Sequence, residues 1–194
     1  MRIIYRLIFY LRGWKIEGDV PRDIKKYIIV VAPHTSNWDF LIGVAVRSIK
    51  KFKSNFLGKK ELFKPPFGWL FYGLGGFPVD RQHKTNLVDQ VIDLAKNNER
   101  FVIAITPEGT RKSVAKWKTG FYQIAFGAQI PIVFCSLDYK KKLVFFNLPF
   151  YPTGDFVADA PTMAKYYEGV VGRRGESRRL FSFGRFWKYL PVNI

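Results

Sequence analysis

The sequence predicts an α/β fold: a mainly parallel central sheet covered by helices on both faces, with a short N-terminal amphipathic helix. Two kinds of segment alternate along the chain. One is a short, continuous apolar run, typical of a strand buried on both faces, and the other has apolar residues at helical spacing. The chain of 194 residues is long enough for one domain with a sizeable core. Because 48% of its residues are hydrophobic and 18% are aromatic, a disordered chain is excluded.

The first half of the chain predicts three strands and two helices. The unbroken apolar run at 27–32 indicates a buried strand, and residues 37–49 carry apolar side chains at helical spacing. Shorter apolar runs at 55–58 and 76–79 indicate two more strands, and the aromatic segment 65–74 between them indicates a short helix.

The second half repeats the alternation. Residues 87–97 place their apolar side chains on one helical face, and the continuous apolar run at 101–105 predicts the next strand. A helix at 120–128 and a buried strand at 130–137 follow. Two weaker patterns predict a strand at the sheet edge, 142–146, and a helix at 161–171.

The predicted organisation has three parts. Residues 1–15 form a membrane-interface segment, 16–172 the α/β domain and 173–194 a basic, aromatic tail. The first twelve residues are basic and apolar, which suits a helix lying in the plane of a membrane surface; the alternative is a helix packed on the domain's own core. No stretch approaches the roughly 20 apolar residues of a membrane-spanning helix.

The charge of the chain indicates an anionic partner. Lys and Arg number 32 against 15 Asp and Glu, a net charge of +17. Such a field attracts nucleic acid, anionic lipid headgroups, phosphorylated substrates or an acidic carrier protein. Aromatic residues interleaved with the basic ones suit a membrane interface, and no helix-turn-helix, zinc-finger or RNA-binding strand motif is present. The single cysteine, Cys135, excludes an internal disulfide and a cysteine metal cluster.

The strongest chemical signal is the segment 34–39 (HTSNWD), directly after the predicted strand 27–32. If the turn lets the Asp39 carboxylate reach one imidazole nitrogen of His34, it fixes the tautomer and leaves the other nitrogen free to accept a proton from a hydroxyl. The alternative is a surface histidine near a helix cap, with Asp39 in the first helical turn. If the deprotonated hydroxyl attacks a carbonyl group, negative charge develops on the carbonyl oxygen. We expect backbone N–H groups near residues 35–37 to donate hydrogen bonds to that oxygen.

Two more charged clusters follow predicted strands. Asp80 and Arg81 come directly after 76–79, and the segment 106–111 (TPEGTR) follows 101–105. Because the carboxyl ends of parallel strands meet at one edge of a sheet, these clusters and His34 are expected to share one site.

Together these segments resemble the glycerolipid acyltransferase family, best known from the 1-acylglycerol-3-phosphate acyltransferases. Four blocks match in order, over roughly residues 27–137: 34–39 (HTSNWD), 76–81 (GFPVDR), 106–111 (TPEGTR) and 130–133 (IPIV). Each block alone is a weak signal, but their joint order and spacing are specific.

The resemblance implies transfer of an acyl chain from a coenzyme A or acyl carrier protein thioester to a glycerolipid hydroxyl, without a metal or a bound cofactor. His34 corresponds to the family's general base and Asp39 to the residue that orients it. Arg81 matches its arginine for the acceptor phosphate. The residues that match its acceptor-binding block are Glu108, Gly109, Thr110 and Arg111.

The resemblance, the positive charge and the short basic, apolar N-terminal segment together predict a location and a set of partners. The expected partners are an anionic membrane surface and a lysophospholipid acceptor, with the protein peripheral on the cytoplasmic face and no nucleic acid bound. Lys112 and the pair Pro78 and Val79 depart from the family pattern, so acylation of a lyso-aminolipid stays open. A non-catalytic lipid-binding protein and a nucleic-acid-binding protein are the two competing hypotheses from outside the enzyme class.

Overall fold

The computed structural model describes residues 1–79, 87–111 and 117–175. The strands in these ranges are β1 Lys15–Glu17, β2 Lys26–Ala32, β3 Asn55–Lys59, β4 Gly76–Val79, β5 Phe101–Ile105, β6 Ile132–Asp138 and β7 Leu143–Phe146. The helices are α1 Arg2–Leu11, α2 Trp38–Lys50, α3 Gly68–Gly73, α4 Leu87–Asn97, α5 Gly120–Ala128 and α6 Phe156–Lys165, with a 3-10 turn at Lys60–Phe63.

The strands form one seven-stranded sheet in the order β1-β7-β6-β2-β5-β3-β4. Every neighbouring pair is parallel except β6 and β7, which are antiparallel. The predicted fold class is therefore confirmed. β2 lies in the middle, between β5 and β6, so the carboxyl ends of three parallel strands stand side by side at one edge.

Helices cover both faces of the sheet and enclose two cores. On one face, α4, α5 and α6 pack around Phe134, whose ring stacks on Tyr166 at a centroid distance of 4.8 Å. On the other face, α1 and α2 pack around Val133 and its neighbours. The crossover from β2 to β3, which contains α2, runs toward the β4 edge of the sheet. The crossovers from β4 to β5 and from β5 to β6, which contain α4 and α5, run toward the β1 edge. Right-handed crossovers that run in opposite directions place their helices on opposite faces.

Two predicted elements differ from the structure. Residues 142–146 were expected at the sheet edge, but β1 pairs in parallel with β7 and forms the edge itself. β1 has only three residues, too few to show a periodic pattern. The helix expected at 161–171 is α6 instead, because the Asp155 side chain accepts hydrogen bonds from the Val157 and Ala158 N–H groups and starts the helix earlier. Pro161 lies within it.

Helix α1 forms as predicted and contributes to the domain core. Phe9 is buried against α2, and the backbone N–H of Trp14 donates to the backbone carbonyl of Phe9. Several other apolar side chains of α1 are exposed: Ile3, Ile4, Leu7, Ile8 and Leu11. One narrow stripe of α1 thus packs on the protein, and the rest is open to other contacts. Across the described ranges, no helix has the length and apolarity to cross a bilayer. The C-terminal tail beyond residue 175 lies outside the described residues.

Stability depends strongly on the aromatic cluster around Phe134. This ring is fully buried and contacts Phe150, Tyr166 and Tyr167. We expect Phe134→Ala to lower the free energy of unfolding by about 3–5 kcal/mol, because it removes apolar contacts and leaves a cavity. Urea denaturation measures this, with the exposed Leu148→Ala expected within about 0.5 kcal/mol of wild type. Similar midpoints for both variants would contradict the assignment of this core.

Candidate active site

The site lies at the carboxyl edge of the three central parallel strands. His34 follows β2, Glu108 follows β5 and Tyr139 follows β6. Because β2 pairs with β5 on one side and with β6 on the other, side chains that are distant in sequence meet directly above β2. This edge is where parallel α/β sheets commonly bind ligands.

His34 and Asp39 make the contact that their spacing predicts. The His34 Nδ1 atom lies 3.1 Å from the Asp39 Oδ2 atom. The Asp39 side chain is 2% exposed and that of His34 is 21% exposed, so the carboxylate lies beneath the loop while the imidazole reaches the surface. Because a carboxylate only accepts, Nδ1 carries the hydrogen and donates it to Asp39, and this selects the tautomer in which Nε2 carries a lone pair that can accept a proton.

The Asp39 carboxylate is held by several donors. Its Oδ2 atom also accepts hydrogen bonds from the Thr35 and Ser36 N–H groups, each at 2.8 Å, and its Oδ1 atom accepts one from the Tyr139 hydroxyl. Burial raises the pKa of Asp39, but the hydrogen bonds from His34, Tyr139 and the Ser36 N–H outweigh burial and bring the pKa below its ordinary value. These donors therefore favour the ionised form of Asp39.

These bonds correct one expectation. The Thr35 and Ser36 N–H groups were expected to serve as oxyanion donors, but both donate to Asp39 inside the loop. The His34 N–H is engaged as well, since it donates to Glu108. The Thr35 and Ser36 amides therefore hold the Asp39 carboxylate rather than an incoming substrate oxygen.

Tyr139 is a site residue that the sequence did not reveal. Burial and its hydrogen bond to Asp39 raise the pKa of the Tyr139 hydroxyl well above its ordinary value, so it acts as a permanent donor. It lies 100 residues from Asp39 along the chain. No spacing rule links the two positions; only the pairing of β6 with β2 brings them together.

Glu108 is buried beside the histidine loop. Its Oε2 atom accepts a hydrogen bond of 2.7 Å from the His34 N–H, and its Oε1 atom is buried with no hydrogen-bond partner among the described residues. Burial raises the pKa of Glu108 from 4.5 to about 7, although the bond from His34 opposes this. Glu108 therefore ties the turn after β5 to the turn after β2.

The rest of the predicted binding block forms a turn beside Glu108. The Gly109 N–H donates to the Thr106 carbonyl, and Gly109 has a φ of +65°, a conformation that favours glycine. Thr110 is half-buried, and Arg111 is exposed. Arg81, predicted to bind the acceptor phosphate, lies outside the described residues. Within the described ranges, no group of three His, Cys, Asp or Glu side chains is placed to hold a metal ion.

The raised pKa of Glu108 makes a prediction for stability. Between about pH 4.5 and pH 7 the unfolded chain ionises this carboxyl while the folded protein keeps its proton, so stability falls as the pH rises through this window. Glu108→Gln removes this loss, which is worth roughly 3 kcal/mol at 1.36 kcal/mol per pKa unit. Chemical denaturation at a series of pH values measures it.

The exposed Glu61→Gln serves as the control for this measurement, because it removes the same charge at the surface. Its stability should follow the wild-type pH dependence. A Glu108→Gln curve parallel to that of wild type would show that Glu108 is not held in its protonated form.

Comparison with known proteins identifies the family of the chain. A family model described as "Acyltransferase" matches residues 14–138. The 1-acyl-sn-glycerol-3-phosphate acyltransferase of Haemophilus influenzae is 31% identical over 144 residues, covering 69% of this chain and 59% of the relative. The enzyme of that name from Escherichia coli is 30% identical over 131 residues, covering 63% and 52%.

The fold has a counterpart among solved structures. The crystal structure of the 1-acyl-sn-glycerophosphate acyltransferase PlsC from Thermotoga maritima superposes with a TM-score of 0.53 at 23% identity, covering 79% of this chain and 68% of that chain. The chain spans between half and three fifths of the length of the two sequence relatives. Because the family model covers well over half of its residues, and the histidine and glutamate blocks of that match converge in one site, the chain belongs to the acyltransferase family.

Proposed function

We propose that the protein transfers an acyl chain from a coenzyme A or acyl carrier protein thioester to the free hydroxyl of a lysophospholipid such as 1-acylglycerol-3-phosphate. The observation that carries this proposal is the contact between the partly exposed imidazole of His34 and the buried, fully hydrogen-bonded carboxylate of Asp39. A base of this kind suits a reaction in which a hydroxyl must lose its proton.

The chemistry follows from the dyad. The acceptor hydroxyl gives its proton to Nε2 of His34 as its oxygen attacks the thioester carbonyl. Asp39 stabilises the imidazolium that forms and keeps the ring in its orientation. When the tetrahedral intermediate collapses, the carbon–sulfur bond breaks, and the thiolate takes the proton from His34. An ester and a free thiol result, and the dyad returns to its starting state.

The acceptor proposal rests on charge and on the relatives. The exposed Arg111 in the turn after β5 carries a guanidinium, which can grip a phosphate with two hydrogen bonds, and Arg81 is proposed to share that role. Both relatives named above carry 1-acyl-sn-glycerol-3-phosphate in their names. The net charge of +17 suits this acceptor and either donor, since coenzyme A and acyl carrier proteins are both acidic.

The general base is tested by substitution. We expect His34→Ala to lower kcat about a hundredfold to ten-thousandfold with 1-acylglycerol-3-phosphate, because general-base catalysis is lost. Asp39→Asn should also lower kcat, because an amide cannot stabilise the imidazolium as a carboxylate does. Both variants are assayed with each thioester donor in turn. Thiol release gives the rate, and mass spectrometry identifies the product.

Asp159→Asn is the matched control for the Asp39 variant. Asp159 is also a buried aspartate that accepts hydrogen bonds from a tyrosine hydroxyl, that of Tyr122, and from a backbone N–H, that of Thr153, but it lies in α6. It should lose stability while keeping kcat in the remaining folded fraction. Near-normal turnover of His34→Ala would disprove the mechanism. Turnover with a lyso-aminolipid but not with the phosphorylated acceptor would change the acceptor class.

We further propose that the protein is peripheral, on the cytoplasmic face of a membrane. The exposed apolar side chains of α1 support this location, because Arg2, Arg6 and Arg12 lie among them in the same short segment. Each basic residue near an anionic surface adds on the order of 1 kcal/mol of attraction, which salt screens. Apolar insertion adds a part that salt does not screen.

Paired substitutions separate membrane contact from folding. Ile3→Glu with Leu7→Glu should weaken binding to anionic vesicles at least about tenfold, because two side chains of this type lose their transfer from water. The unfolding temperature should stay unchanged, since neither side chain is in the core. Leu148→Glu with Tyr151→Glu makes the same charge change at exposed sites after β7 and should bind nearly as wild type does. Equal co-sedimentation of both double variants would reject α1 as the contact.

A further inference from the structure

The segment after α6 returns to the active site and is anchored there. The buried Tyr167 hydroxyl donates to the Val30 carbonyl of β2 at 2.6 Å. Four residues later, the Val171 carbonyl accepts from the N–H of Tyr139, the residue whose hydroxyl holds Asp39. The segment is thus fixed to the two strands on which the dyad and its support are built.

Gly172 brings this segment into direct contact with the histidine loop. A Cβ atom at this position would lie 2.8 Å from Thr35 Cγ2, closer than real Cβ atoms approach, and 3.1 Å from Pro33 Cγ, which is tighter than most real contacts. Only glycine therefore allows the segment to come this near to the loop. The next residue, Arg173, is placed at the mouth of the site by this contact.

The Arg173 side chain lies over the histidine loop. Its Nη1 atom lies 3.4 Å from Ser36 Oγ, and its guanidinium carbon lies 5.0 Å from the ring centroid of Trp38. That distance is within the range of a cation–π contact. Both partners belong to the segment between His34 and Asp39, one on each side of Asn37. The guanidinium thus has a defined position rather than a free one.

The positive charge of Arg173 is unbalanced. No carboxylate of the described residues is within ion-pair distance of it, and the nearby Asp39 is buried beneath the loop with its own donors. Burial, and then the hydrogen bond to Asp39, raises the pKa of Tyr139, and the positive charge of Arg173 opposes that rise. An exposed, oriented guanidinium without a carboxylate partner is ready to bind a phosphate.

We propose that Arg173 binds the phosphate of the acceptor lipid. In 1-acylglycerol-3-phosphate the reacting hydroxyl and the phosphate sit on adjacent carbons of the glycerol, so a hydroxyl at His34 places its phosphate within a side chain's length of the loop. The phosphates of coenzyme A lie at the far end of the pantetheine arm, well away from the thioester. Arg173 lies beyond residues 14–138, the part that the family model covers.

The inference rests on the proposed function, and its test is built on two acceptors. Arg173→Gln is compared with Arg174→Gln, which removes the same charge from the next exposed residue. The acceptors are 1-acylglycerol-3-phosphate and 1-acylglycerol, which offers the same hydroxyl without the phosphate. We expect Arg173→Gln to raise KM for the phosphorylated acceptor about 10- to 100-fold, the usual worth of a charge-assisted hydrogen-bond pair.

The remaining readouts should not move. Arg173→Gln should leave kcat/KM for 1-acylglycerol and KM for the thioester unchanged, and Arg174→Gln should leave all of them unchanged. Equal losses with both acceptors, or equal losses in both variants, would overturn the assignment. A loss confined to the thioester would overturn it too and would place Arg173 at the donor.

Two further measurements keep the outcome decisive. If thermal unfolding shows that Arg173→Gln is unstable, Arg173→Lys is used in its place. Lysine keeps the positive charge but cannot make the two parallel hydrogen bonds of a guanidinium, so KM for the phosphorylated acceptor should still rise. If the wild-type protein transfers no acyl chain, the proposed function fails, but calorimetric binding of a short-chain 1-acylglycerol-3-phosphate still tests Arg173. Weaker binding by the Arg173 variant alone supports the inference, and equal binding by all three proteins overturns it.

Discussion

The buried carboxylate of Asp39 is the constraint on which the site depends. A carboxylate removed from water is costly unless donors replace its hydration. Four do so here: the imidazole of His34, the Tyr139 hydroxyl and the N–H groups of Thr35 and Ser36. The shape of the loop after β2 follows from this requirement, because its amides must turn inward toward the carboxylate. The consequence is that the His34 imidazole is held in one orientation at the surface.

Two carboxyl groups near His34 are driven in opposite directions by their surroundings. Asp39 is surrounded by donors and stays ionised, whereas Glu108 has one donor and a second oxygen without a partner among the described residues. The first suits the support of an imidazolium. The second joins the turns after two neighbouring strands and holds its proton up to about pH 7. Burial is common to both, so the number of donors decides their charge.

The sheet order explains why one edge carries all of these groups. β2 is flanked by β5 and β6, and the turn after each strand contributes one side chain above the same point. The segment after α6 then closes over the loop, where Gly172 permits the approach and Arg173 adds a cation. The histidine–aspartate pair after the central strand and the cation from the later segment thus meet at one surface.

The sequence by itself determined the fold class, most element positions and the contact between His34 and Asp39, because these depend on local periodicity and short spacing. It did not reveal β1, the true start of α6, Tyr139 or the use of the loop amides. Those depend on which strands become neighbours and on where a buried charge finds its donors. Such pairings join residues a hundred positions apart, as with Tyr139 and Asp39, and only the tertiary structure decides them.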